Sequence, residues 1–258
     1  HVRPAVNKAG CSMAACHAAQ FGKGGFKLSV FGFDQAADHF AMTKDSQGRR
    51  LNVLSPEESL LLQKPTMQVP HQGGRRFDPK SRDYEMMVAW IRSGAPGPTT
   101  ERVINKLVVT PAQRVGEPGL KQQLRVEAVY ADGEIRDVTA WAKYDSMDEG
   151  IVSVTRDGFC SVSGRGQAPV MVRFEGQAEI AMFVIPYGPP ARLEGWVNNN
   201  FIDELAATKF RELGIEPSPL CDDATFLRRL FLDATGTLPT REEIDEFLAA
   251  REPDKRTI

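Results

Sequence analysis

Apolar positions along this chain change their period twice. In the first hundred residues the clearest pattern is helical. Tyr84, Met87, Val88 and Ile91 fall on one face and predict a helix over 81–93, closed by Gly94 before Pro96-Gly97-Pro98 opens a linker. Ser55-Pro56-Glu57-Glu58 reads as another helix start, with Ser55 as cap, Pro56 at the first helical position and Glu58 closing a capping box. Leu60-Leu61-Leu62 follows as an apolar wall. An opening helix is expected to reach about Ala19. Gly22, Gly24 and Gly25 then mark a turn, and residues 26–31 a short extended segment.

From about 102 to 188 the period becomes two. Leu124, Val126, Ala128 and Tyr130 alternate with Gln123, Arg125 and Glu127, and Asp132-Gly133 is a hairpin signal. Short strands at 107–109, 135–138, 151–154, 159–163, 169–174 and 178–185 with glycine-containing turns predict an antiparallel sandwich. Trp141 reads as a core plug, and Asp145, Asp148 and Glu149 as solvated turn residues. From 196 the helical period returns. Phe201 to Leu213 form one helix stopped by Gly214; Asp222 or Asp223 caps a second; Thr240 and Glu243 box the start of a third. Three short helices make a small core, so Phe210, Phe226, Phe231 and Phe247 are expected to want further cover. The charged run 251–256 adds no packing element. The fold class is multidomain: an all-α domain at 1–98, an all-β sandwich at 102–188, and a helical segment at 196–258 read as the start of a larger domain.

Composition narrows the functional classes. The chain has 258 residues, 41% hydrophobic and 26% charged, which is ordinary for a globular protein. No apolar run is long enough to span a bilayer. Charge follows the domains, at +5 for 1–98, −2 for 99–195 and −5 for 196–258. The basic residues of the first domain are scattered, with few aromatics to stack bases, which argues against nucleic acid. A mildly basic face that steers acidic partners is the better reading.

The chemistry is concentrated in Cys11-Ser12-Met13-Ala14-Ala15-Cys16-His17. Two thiols can form thioethers to the haem vinyl groups, and a histidine beside the second can ligate the iron. The usual covalent haem signature has two residues between the cysteines. Here there are four, so the intervening loop must bulge. A disulfide, or a zinc site of two thiolates and a histidine, is the competing reading, but zinc wants a fourth ligand and no second Cys/His pair lies nearby. His71, in Val69-Pro70-His71-Gln72-Gly73-Gly74, is the favoured second axial ligand: Pro70 stiffens its approach, and the glycines let the backbone come close. Met67 is the rival, since Met/His ligation is common in cytochromes c. His39 and Met42 read as a surface segment. Cys160 and Cys221 are isolated and read as small apolar residues, with a disulfide between them left open.

The order of these segments resembles the large exported cytochrome proteins of planctomycetes. Their N-terminal cytochrome c domain is similar in the haem motif, in the Gly22–Leu28 run, and in Lys64-Pro65-Thr66, Val69-Pro70-His71 and Gly94-Ala95-Pro96. Tyr130-Ala131-Asp132-Gly133 and Asp137-Val138-Thr139 resemble a bacterial Ig-like domain of group 2. Residues 217–222 and the stretch from Arg228 to Thr240 are similar to the next domain of that family. The resemblance implies an exported, periplasmic or surface-located electron-transfer protein rather than an enzyme. It would hold one haem c on Cys11 and Cys16, with His17 and His71 on the iron. The redox partner is unidentified, and further domains of the same polypeptide are expected. Two other classes stay open: a surface adhesion or assembly protein using the Ig-like domain, and a ligand-binding or peroxidatic haem with an open iron position.

Overall fold

The computed structural model describes residues 2–98, 103–252 and 254–256. The expected boundary at 102 and the last residue, Ile258, lie outside them. The chain divides into two compact units. One is His1–Pro190 with Glu212–Gly214; the other is Ala191–Arg211 with Ile215–Ile258.

Residues 2–98 are helices and loops. The helices are α1 (Val2–Lys8), α2 (Gln35–Thr43), α3 (Leu60–Gln63) and α4 (Arg82–Arg92). They enclose a core of Val6, Leu28, Met42, Leu62, Met87 and Ile91 among others. α4 forms where its periodicity predicts: Ser81 caps it by accepting from the Tyr84 N–H, and its four predicted apolar residues are buried. α1 is shorter than expected. It stops at Lys8 because Gly10 turns left-handed at φ +80°, and the Cys11 N–H then bonds back to the Val6 carbonyl. Ser55 makes no capping bond; Pro56–Glu58 is a short 3-10 turn, and α3 begins after Ser59. The extended segment at 26–31 is absent apart from one bridge between Lys23 and Phe26. α2 was invisible to the period reading, although Asp34 caps it through the Ala37 N–H. It buries Met42, so that residue is core and not surface.

The β region spans residues 104–185. Its strands are β1 (Ile104–Thr110), β2 (Gln113–Val115), β3 (Lys121–Gln123), β4 (Arg125–Tyr130), β5 (Ile135–Asp137), β6 (Lys143–Ser146), β7 (Val152–Val154), β8 (Phe159–Val162), β9 (Gly166–Phe174) and β10 (Gln177–Ile185). They form three sheets, ordered β1-β4-β5, β2-β10-β9-β6 and β3-β8-β7. The alternation read at 124–130 sends Val126, Ala128 and Tyr130 into a core shared with Val170, Val172 and Phe183. β2 runs parallel to β10, so the pairing is not wholly antiparallel as expected. Asp145 is no solvated turn residue: it lies on β6 and pairs with Lys143 and with Arg173 at 2.6 Å.

Within this unit α1 rests on the β region. Arg3 pairs with Glu175 at 2.8 Å, and Lys8 donates to the Ala140 carbonyl at 2.6 Å. Phe31, held at φ +52°, joins the two regions. Its N–H donates to the Ser12 carbonyl, its own carbonyl accepts from the Asn7 amide, and Arg173 lies 4.6 Å over its ring. The loop between the two motif cysteines is thereby tied to strand β9.

The helices that follow the β region are α5 (Phe201–Leu213), α6 (Asp223–Thr235) and α7 (Arg241–Ala249). Asp222 caps α6 and the Thr240/Glu243 capping box opens α7, both as predicted. The four phenylalanines expected to lack cover are each half-buried; Phe226 and Phe247 stack 6.0 Å apart. Large apolar side chains that are exposed here include Phe201, Ile202, Leu205, Leu220 and Leu238. The charged run after α7 does pack. Lys255 and Arg256 both pair with Asp223 and lie over the Phe247 and Phe226 rings.

Candidate functional site

Past α1 the backbone makes successive turns through the motif. The Cys16 and Ala18 N–H groups donate to the Met13 carbonyl, and the His17 N–H donates to the Cys11 carbonyl at 3.0 Å. The four-residue spacer thus closes on itself, and Cys11, Cys16 and His17 all line one cavity of about 510 Å3. That volume lies within the range of about 300–1,000 Å3 common for cofactor and ligand pockets. His71 lines the same cavity from the loop after α3, while Phe26, Leu60, Leu61, Phe77 and Met87 give it apolar walls. Met67 is not among its lining residues and is 44% exposed. His39 is elsewhere, bonding the Ala95 carbonyl at 3.0 Å.

The two imidazoles are held alike. His17 Nδ1 is 3.1 Å from the Phe26 carbonyl, and His71 Nδ1 is 2.9 Å from the Gly74 carbonyl. A carbonyl only accepts, so each ring carries its proton on Nδ1 and leaves Nε2 with a free lone pair. Such backbone acceptors are the usual outer support of a metal-binding histidine, fixing both tautomer and ring plane. Burial lowers the His17 pKa, and the facing His71 lowers it further, against the opposing pull of the Phe26 carbonyl. Its imidazole is therefore neutral and able to ligate.

Glycines admit this arrangement. A Cβ on Gly22 would sit 2.2 Å from the Phe26 carbonyl oxygen, the very atom that orients His17. A Cβ on Gly73 would sit 2.7 Å from His71 Cε1. Arg50 braces the first of these loops. Its buried guanidinium donates to the Gly25, Ala41 and Asp45 carbonyls and to the Asp45 carboxylate, and it lies 4.7 Å over the Phe26 ring. Phe26 in turn packs 4.6 Å from the His17 ring. Nothing in the local sequence around Arg50 marks this role, and Phe77 and Met87 were likewise missed as cavity walls.

The residues fit the group that the motif predicts. The His17 and His71 rings are 6.2 Å apart between centroids and inclined by 12°. A first-row metal takes an imidazole nitrogen at about 2 Å, and the ring centre lies about 1 Å behind it, so two imidazoles on opposite sides of one metal have centres about 6 Å apart. All four cysteines carry free thiols, and burial pushes the Cys11 thiol up to about 12, leaving it protonated. Among the described residues no group of three or more His, Cys, Asp or Glu is placed to hold a bare metal ion. No curated protein matches the chain. Residues 201–258, the α5–α7 segment, match the model of the PSCyt2 family, described as a protein of unknown function (DUF1549).

Proposed function

We propose that this chain is an exported electron-transfer protein. Its first region would be a cytochrome c-like module holding one haem c, followed by an Ig-like domain and a helical segment of the planctomycete-type cytochrome-associated kind. The observation that carries the reading is the pair of facing imidazoles, 6.2 Å apart and nearly parallel, beside two free thiols in one cavity. Cys11 and Cys16 would supply the thioether anchors, and His17 and His71 the two axial nitrogens. Bound there, the haem would supply a one-electron redox centre.

The protein's own contribution is rigidity. The Phe26 and Gly74 carbonyls keep both rings in one tautomer, and the apolar walls limit water. Held by both His17 and His71, the haem iron would be left without a position for an added ligand, which favours electron transfer over peroxide or small-ligand chemistry. The family match at 201–258 supports the resemblance of the C-terminal helices to the domain that accompanies such cytochromes. No helix among the described residues is long and apolar enough to cross a membrane. Export and a periplasmic or surface location belong to this proposal because covalent haem attachment takes place outside the cytoplasm.

Visible spectroscopy of the protein in both redox states tests it. The expected result is a low-spin spectrum in each state, reversible reduction, and no change on adding carbon monoxide. A spectrum altered by carbon monoxide would point to an open iron and to ligand chemistry instead.

A further inference from the structure

Lys23, Arg49, Arg50 and Lys64 line the cavity, and among the described residues no aspartate or glutamate lines it with them. Arg50 is neutralised in place by Asp45, at 2.8 Å, and is otherwise occupied by backbone carbonyls. Lys64 reaches the Pro70 carbonyl at 3.4 Å. Lys23 and Arg49 are exposed side chains, with no ion pair to either among the described residues. The two come from segments that Arg50 ties together. Its NH2 group bonds the Gly25 carbonyl at 2.8 Å, Lys23 bridges to Phe26, and Arg49 is its chain neighbour. Unpaired like charges around one cavity repel each other, and a neutral occupant would leave that repulsion in place. The occupant should therefore bring anionic groups of its own.

Haem has two such groups. Its vinyl edge, which would meet the thiols, is remote from the edge that carries two propionate carboxylates. We infer that Lys23 and Arg49, with Lys64 lining the same cavity, receive those two propionates and so fix which haem edge faces them. The assignment rests on the haem reading above. Lysine and arginine both offer charge-assisted hydrogen bonds to carboxylate, and arginine can do so with two parallel N–H groups.

Haem-loaded full-length protein with Lys23→Gln, Arg49→Gln, both together, or Arg49→Lys tests it through two readouts. These are the midpoint potential and the propionate bending band in the resonance Raman spectrum. Each neutral substitution should lower the potential, because it removes a positive charge that disfavours the oxidised iron, and should shift the band. The double variant should do more, and Arg49→Lys should return most of the potential. Unchanged potential and band in haem-loaded variants would overturn this assignment alone. A lowered potential with an unshifted band would overturn the direct contact, leaving these cations as a general field or a docking face for an acidic partner. A wild type that carries no haem would overturn the parent reading, and this assignment with it.

Discussion

His17 and His71 are 54 residues apart in the chain, yet their rings face each other at 6.2 Å with only 12° between their planes. Each is pinned through Nδ1 to a nearby backbone carbonyl, on Phe26 and Gly74 respectively. The supports differ in kind. The Phe26 loop is braced by buried Arg50 and follows the anchored motif. The Gly74 carbonyl belongs to the His71 loop itself, three residues on. The His71 side is therefore the more dependent on its own backbone.

The distal ligand is the first test. His71→Ala should abolish a low-spin spectrum, and Met67→Ala should leave it intact, because Met67 is 44% exposed and is not among the residues lining the cavity. Absorption spectroscopy of the oxidised proteins decides between them. The reverse outcome would move ligation to Met67.

Gly73→Ala puts a methyl group 2.7 Å from His71 Cε1. Overpacking of this kind typically costs about 1–3 kcal/mol, and here the ring is the atom group that can yield. The variant should melt at a lower temperature and show partial high-spin character. Full retention of the wild-type spectrum would show that the ring position tolerates the displacement.

Asp38 is a buried carboxylate that accepts from the Ser29 N–H at 2.6 Å and from the Ser29 hydroxyl at 2.8 Å. Burial raises its pKa, with the Ser29 bonds opposing. A raised carboxylate favours the neutral form in the fold, so its ionisation costs stability above the folded pKa, and the cost fades as pH falls through that value. Asp38→Asn can keep both contacts, accepting through Oδ1 and donating through Nδ2. It should be at least as stable as wild type at pH 7, with the difference shrinking in acid. A less stable variant at neutral pH would contradict this.

Asp223 shows the opposite sign. Hydrogen bonds from Lys255 and then Arg256 lower its pKa. Its contribution is therefore present above the unfolded carboxylate value and lost as pH falls through the folded one, below about 4. Asp223→Asn should lower the thermal stability of the C-terminal helices at pH 7. The two proteins should converge below about pH 4. A pH-independent difference would show that the pair acts through packing and not through charge.

Local signals in the sequence were reliable where one element decided the outcome. The α4 stripe, the Asp222 cap, the Thr240/Glu243 box and the β4 alternation all form as their residues predict. Backbone turns and contacts from distant residues decide the rest. The helix expected to reach Ala19 ends at Lys8, because Gly10 stops it and frees the motif loop to fold back on Val6 and Met13. Met42 looked exposed between charged neighbours because the helix that buries it has its cap at Asp34, outside the apolar window. The tail 251–256 looked unpacked because its partner, Asp223, lies some thirty residues earlier. At the site, Cys11, Cys16, His17 and His71, expected from type and spacing to carry the chemistry, line one cavity. The carbonyls that aim the imidazoles and the arginine that braces them were not legible, since neither backbone acceptors nor a lone Arg50 leave a sequence signature.

The central claim, one haem bound covalently through Cys11 and Cys16, is tested most directly by the intact mass of acid-denatured protein isolated from a host able to attach haem outside its cytoplasm. The account predicts a mass one haem above the polypeptide, falling to the bare polypeptide mass when both cysteines are replaced by alanine. A bare polypeptide mass for the wild type, under conditions where a known covalent cytochrome from the same host is loaded, would contradict it.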